Sequence, residues 1–305
     1  MDVVRTPEER FAALPDFPYP PTYVTFDAGD GTMLRVAVVD VGPADGEVVV
    51  LLHGEPSWSF LWRHVIAELT AAGLRVVAPD LVGFGRSDKP TDPAAYSYAA
   101  HVEWMRQTLF EGLGLVDVTL VAQDWGGLIG LRLVAEHPDR FARVVVANTG
   151  LPTGDTPMSE AFLAWQQYAA TTPDLEIGRI VAGGTVGGLP PEVVAAYEAP
   201  FPDAAHTAGA RTLPALVPTT PDDPAAAANR AAWDVLARFD RPFLTAFSDG
   251  DPITAGAETW FQQLVPGAQG MPHTTLRGGG HFLQEDVGPE LGRVVASFVA
   301  ATPRR

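Results

Sequence analysis

Short runs of β-branched and aliphatic residues alternate along this chain with longer stretches whose apolar positions recur every three or four residues. Glu47 to Leu52 reads as a fully buried strand, Val65 to Ala72 as a helix, and Leu74 to Ala78 as the next strand, ended by Pro79-Asp80. Val102 to Leu113 is predicted helical. Val118 to Ala122 is another buried strand, followed by a glycine pair and an amphipathic helix to His137, and Ala142 to Ala147 closes this half. Repeated strand–helix alternation implies an α/β fold, with a parallel sheet carrying helices on both faces. Upstream, Tyr23 to Phe26 and Met33 to Val39 flank Gly29-Asp30-Gly31, the pattern of an antiparallel hairpin at a sheet edge.

The alternation breaks at Thr149-Gly150-Leu151-Pro152-Thr153-Gly154. From there to about Ala228 helical patterns and Pro/Gly clusters occur without a strand, too long a stretch for a loop, so an inserted helical cap is expected. Gly183 to Gly188 inside it reads as a flexible connector. Strand Pro242–Phe247, helix Ala257–Leu264, strand His273–Leu276 and helix Val287–Val299 then resume the first pattern. The predicted division is a core at 1–150, a cap at 151–228 and the rest of the core at 229–305.

Composition narrows the classes of function. With 305 residues, 47% of them hydrophobic, a large core can form. The net charge of −17 lacks the footprint of a nucleic-acid binder and disfavours anionic membranes. The absence of cysteine excludes disulfides, thiolate metal sites and cysteine nucleophiles, and is compatible with the cytoplasm. Met1 to Arg10 lacks an apolar signal region. No run approaches the roughly 20 apolar residues of a membrane span.

Open parallel sheets bind ligands at the carboxyl ends of their strands, and four such ends carry reactive or glycine-rich sequence. Gln123-Asp124-Trp125-Gly126-Gly127 has the setting of a nucleophile elbow, with the small residues Ala122 and Gly126 two positions either side of Asp124. A carboxylate is already ionised and needs no base to attack. Taken alone, Asp124 is equally a cap for the helix that follows. Gly278-Gly279-Gly280-His281 places a loop histidine after the last strand. Ser248-Asp249-Gly250-Asp251 offers two carboxylates, which turn chemistry alone would also explain. His53-Gly54-Glu55-Pro56 follows the strand ending at Leu52. Nucleophile, acid, histidine is the chain order of α/β-hydrolases.

With these motifs in view the chain resembles the haloalkane dehalogenases over nearly its whole length. The likeness rests on His53-Gly54-Glu55-Pro56-Ser57-Trp58, Asp80 to Asp88, Gln123 to Gly127, and Gly280 to Glu285. Phe162-Leu163-Ala164-Trp165 matches the cap motif of the subfamily whose second halide-binding tryptophan lies in the cap and whose acid follows the late strand.

The resemblance implies an α/β-hydrolase fold with a mostly parallel eight-stranded sheet, and hydrolysis of small haloalkanes to alcohol and halide. It implies Asp124 as nucleophile, His281 as base, and Asp251 rather than Asp249 as the orienting acid. Asn148, neutral where other subfamilies keep the acid, agrees. Trp125 and Trp165 are implied as halide donors, and the backbone N–H groups of Glu55 and Trp125 as the oxyanion hole. The Glu55 side chain would repel a halide, so it is expected to point away or be paired. Phe162 and Phe201 are candidates for the apolar pocket wall. No cofactor or metal is expected, and no nucleic-acid or membrane partner. The chain is expected to be a monomer or weak homodimer.

An epoxide hydrolase is the nearest rival, since Tyr168 and Tyr197 are available to activate an epoxide oxygen. Glu55 and Trp165 argue against it. A fluoroacetate dehalogenase would need an arginine pair, and nothing cationic follows Asp124. A serine esterase lacks its serine at the elbow. A non-catalytic ligand-binding protein of this fold would have lost a triad member, whereas all are present here.

Overall fold

A computed structural model describes residues 1–304. In chain order it contains β1 (Val3–Val4), β2 (Thr22–Asp27), β3 (Met33–Val41), β4 (Val48–Leu52), α1 (Arg63–Ala71), β5 (Arg75–Pro79), β6 (Lys89–Pro90), α2 (Tyr98–Arg106), β7 (Val118–Gln123), α3 (Trp125–Glu136) and β8 (Phe141–Ala147). Then come α4 (Glu160–Thr171), α5 (Ile177–Gly183), α6 (Pro191–Glu198), α7 (Ala208–Thr212) and α8 (Ala226–Leu236), followed by β9 (Phe243–Ser248), α9 (Ala257–Leu264), β10 (Thr274–Leu276) and α10 (Leu283–Ala301).

Eight strands form one sheet in the order β10-β9-β8-β7-β4-β5-β3-β2. All neighbouring pairs are parallel except those made by β3, which runs against both β5 and β2. The predicted hairpin is therefore the antiparallel edge. Every residue of β7 is buried, as a strand covered by helices on both faces requires. Two apolar clusters fill the two faces. One gathers β7 with α2 and α3; the other holds Trp58, Phe60 and Trp62 with α1 and α10.

Three sequence expectations need correction. The boundary drawn at 228 falls inside α8. The alanine run Ala225 to Ala228 begins a helix rather than ending a segment, as alanine's helical preference favours. That helix is tied to the chain leaving β8: Asn229 Nδ2 donates to Pro152 O (2.7 Å) and Trp233 Nε1 to Leu151 O (2.8 Å). The final helix starts at Leu283 and bends at Val287 (φ −136°), two residues before Pro289.

The stretch Gly183–Gly188 is more than a connector. A Cβ on Gly184 would lie 2.6 Å from the Phe282 ring, so glycine is what lets the cap turn sit there. The N–H groups of Val186 and Gly187 donate to the Asp286 carboxylate (3.1 and 3.4 Å), which also accepts Gly280 N–H (2.8 Å). A second tie lies deeper. Arg63 of α1 pairs bidentately with Glu285 of α10, one contact at 2.6 Å, and the Tyr197 hydroxyl of cap helix α6 donates to the same carboxylate.

Candidate active site

Asp124 sits between β7 and α3 with φ 50° and ψ −127°, a backbone conformation L-residues rarely adopt. Such strain costs about 1–3 kcal/mol and persists only where surroundings enforce it. Here Asp124 N–H donates to Asn148 O (3.0 Å), while its carbonyl accepts Gly127 N–H (2.9 Å) and the Thr149 hydroxyl (2.8 Å). The turn also requires close packing: a Cβ on Gly126 would be 2.1 Å from Leu52 O, and one on Gly54 would be 2.2 Å from Asp124 Oδ1.

The Asp124 side chain does not cap α3. Its Oδ1 accepts the Glu55 backbone N–H at 2.8 Å, and its Oδ2 lies 3.6 Å from His281 Nε2. On the other side of the ring, His281 Nδ1 is 3.1 Å from Asp251 Oδ1. Asp251 also accepts Ile253 N–H (2.9 Å) and the Thr254 hydroxyl. Asp249 instead accepts Gly278 N–H (2.7 Å) at the exposed end of the loop. Of the two carboxylates the sequence offered, the geometry joins Asp251 to the imidazole.

Electrostatics tie the three groups together. Burial opposes the charge on both His281 and Asp251, yet their mutual attraction prevails. The imidazole is pushed upward by Asp251 and by Asp124, and the Asp251 carboxyl is held below its ordinary value by His281, Thr254 and Ile253.

The loop carrying His281 is fastened by residues the sequence reading gave no such task. Asn148 Nδ2 donates to Ser248 Oγ (2.8 Å), Gly280 O (2.9 Å) and His281 O (3.1 Å), and its Oδ1 accepts Ser248 N–H (2.9 Å). Gln123 Nε2 donates to His281 O at 3.2 Å. Their positions at the carboxyl ends of β7 and β8 were the available signal. His53 is fully buried and serves structure: its Nε2 accepts Leu81 N–H (2.9 Å), leaving the proton on Nδ1 for Gly54 O (2.9 Å).

Above Asp124 lies a cavity of about 820 Å³ between core and cap. Trp125, Trp165 and Phe162 line it, with Leu128, Val217 and Phe261 among the other apolar walls. Trp260 and Leu264, which are 55% and 45% exposed, are also among its lining residues. Phe201 is elsewhere: its ring packs edge-on against Phe84 at 6.3 Å, so this residue is a core contact and not a pocket wall.

Glu55 does not point away. Its carboxyl lines the cavity side of the site, where Oε2 accepts the Trp165 indole N–H at 3.2 Å, while Oε1 is buried without a partner. Burial, reinforced by the nearby Asp124 carboxylate, pushes Glu55 well above the usual carboxylate range, against smaller opposing effects of Trp165 and His281.

The only ionisable side chains among the described residues lining the cavity are those of Glu55, Asp124 and His281. Neither candidate tyrosine of the epoxide alternative reaches it. Tyr168 stacks on Trp165 from the exposed side, and Tyr197 is buried against Glu285. No cluster of three His, Asp or Glu among the described residues is arranged to hold a metal ion. No helix among them is long and apolar enough to cross a membrane.

Residues 47–184 match the family model of the alpha/beta hydrolase fold. A haloalkane dehalogenase of Psychrobacter cryohalolentis is 52% identical, with 100% of both chains covered. One from Mycobacterium marinum is 53% identical over 98% of this chain and 100% of its own. Among solved structures, the tetrameric haloalkane dehalogenase DpaA from Paraglaciecola agarilytica NO2 superposes with a TM-score of 0.90 at 37% identity, covering 98% of this chain and 99% of that one. An Asp–His–Asp site under a helical cap and full-length likeness at this level lead to one conclusion: the chain belongs to the haloalkane dehalogenases of the α/β-hydrolase fold.

Proposed function

We propose that Asp124, His281 and Asp251 hydrolyse a carbon–halogen bond through a covalent ester. The arrangement of one carboxylate facing the cavity and another behind the imidazole supports this reading. An Asp124 oxygen displaces halide from the substrate carbon in line, forming the alkyl ester while the carbon–halogen bond breaks. The indole N–H groups of Trp125 and Trp165 are donors only and suit the departing anion. A hydrogen bond to a charged partner contributes about 1.5–3 kcal/mol.

Esterification removes the negative charge of Asp124. One of the two influences that raise the His281 imidazole then disappears, and the ring is freed to act as a base. His281 Nε2 takes a proton from water as the water oxygen attacks the ester carbonyl carbon. The Glu55 N–H, which donates to Asp124 Oδ1 at 2.8 Å, and the Trp125 N–H hold the oxyanion formed there. Such a donor is worth about 10²–10³ in rate. Asp251 keeps the ring oriented and balances the imidazolium. Collapse of the intermediate restores the Asp124 carboxylate and leaves alcohol, halide and a proton.

A neutral haloalkane suits a cavity that offers no arginine or lysine for a substrate carboxylate. Phe162 is a wall for its alkyl chain. The helical segment beginning at 151 excludes water from the halide. With a net charge of −17 the chain is proposed to be a monomer or weak homodimer, and a tetramer in light scattering would refute that.

The decisive experiment is His281→Gln incubated with a bromoalkane. The expected result is loss of turnover with an adduct of one alkyl group on the intact protein mass, mapping to Asp124. Turnover lost with no adduct would sink the covalent route.

A further inference from the structure

The Trp165 indole has one N–H, and in this structure that N–H is already in use. It donates to Glu55 Oε2 at 3.2 Å. A halide held by Trp165 must take over the same donor, since an indole nitrogen donates one hydrogen bond. Glu55 is 3% exposed, and its second oxygen, Oε1, is buried with no partner. A carboxylate with an orphaned oxygen in such a place would be poorly compensated. The charged or titratable groups that face it are Asp124 from the elbow and His281 from the loop before α10; the cap contributes only the Trp165 indole. Of these, Asp124 repels a second negative charge.

These contacts make Glu55 a rival of the halide, and the outcome depends on one proton. As the neutral acid, Glu55 offers Oε2 as an ordinary carbonyl acceptor, which yields its donor to a full anion. As a carboxylate it becomes a charged acceptor that retains the indole N–H, and it also repels a halide placed beside it. We infer that Glu55 and the halide compete for the Trp165 N–H, so that the halide is held only while Glu55 carries a proton and is expelled when that proton leaves. This rests on the reading of Trp165 as a halide donor.

The competition has a chemical consequence. The reaction produces one halide and one proton, and a site that binds halide and proton together discharges both. By reciprocity, bound halide must tighten the proton on Glu55 by the same factor that the proton tightens halide.

The test is calorimetric titration of sodium bromide into the protein from about pH 5 to about pH 9, for wild type, Glu55→Gln and Trp165→Phe. Glu55→Gln keeps the backbone N–H and a neutral acceptor but cannot ionise. The expected result is a wild-type bromide Kd that rises toward tenfold per pH unit once Glu55 ionises, and a markedly flatter Glu55→Gln curve. Any slope left in Glu55→Gln belongs to His281. Bromide binding that Trp165→Phe leaves unchanged would overturn the halide-donor reading and this inference with it. Binding weakened by Trp165→Phe, with equal slopes in wild type and Glu55→Gln or a flat wild-type curve, would overturn the inference alone.

Discussion

Arg63→Met tests the buried tie between cap and core. The Arg63 and Glu285 side chains are 4% and 3% exposed, so water does not screen the pair. The Glu285 carboxylate is satisfied by two guanidinium contacts and the Tyr197 hydroxyl. Methionine retains an apolar stem over the Phe60 ring, where the guanidinium now sits 4.2 Å from the centroid. It leaves a buried carboxylate with one neutral donor. Breaking a buried pair on one side costs about 3–5 kcal/mol. For a chain of 305 residues that is a fall in Tm of about 6 °C, given an unfolding entropy near 2 cal/mol/K per residue. Removing every polar member, in Arg63→Met/Glu285→Met/Tyr197→Phe, eliminates the uncompensated charge and should recover most of the loss. Urea unfolding followed by circular dichroism gives the comparison. A single variant less than about 1 kcal/mol below wild type, or a triple variant no better than the single, would refute the reasoning.

Four further outcomes are expected. Asp251→Ala should slow ester hydrolysis by up to about four orders of magnitude, whereas Asp249→Ala should leave steady-state kcat within about threefold, because only Asp251 meets the imidazole. Phe162→Ala should improve KM for bulkier bromoalkanes over short ones, while Phe201→Ala should leave that ratio unchanged and cost about 3–5 kcal/mol in urea as a core truncation. Asn148→Ala should lower stability by about 1–3 kcal/mol through the carbonyls it abandons, and it should lower kcat more than it changes KM by loosening the histidine loop. The His281 imidazole is raised from 6.5 to about 10 by its partners, so its contribution to stability is fully present below about pH 6.5 and fades as pH climbs toward 10. Urea midpoints of wild type minus His281→Gln should therefore shrink over that interval, and a difference constant with pH would contradict the assignment.

The sheet and most of its helices were legible because fully buried strands leave continuous apolar runs, such as Val118 to Ala122. The meeting of Asp124, Asp251 and His281 was legible because strand ends, chain order and residue type coincide at these three residues. What was hidden is long-range pairing between polar residues. Nothing local in Asn148 reveals four hydrogen bonds to the segments around Ser248 and His281. Nothing in the glycine-rich stretch at 183–188 reveals the carboxylate of Asp286 waiting about a hundred residues away. Phe162 and Phe201 have the same composition signal and comparable burial, and only the tertiary structure sends one to the cavity and the other to Phe84. Glu55 was expected to avoid or pair its charge; the partner it finds, an indole already assigned elsewhere, is a contact across 110 positions.

The Asp286 carboxylate receives amides from the cap turn and from Gly280, the residue before the histidine. Lifting the roof along that edge would break amide bonds that also fix the segment carrying His281, so an opening there would displace the imidazole. Anyone transplanting a roof from one relative to another would have to carry residues 280–286 with it. A chimera joined between those two parts would lose the cap amides that the Asp286 carboxylate receives.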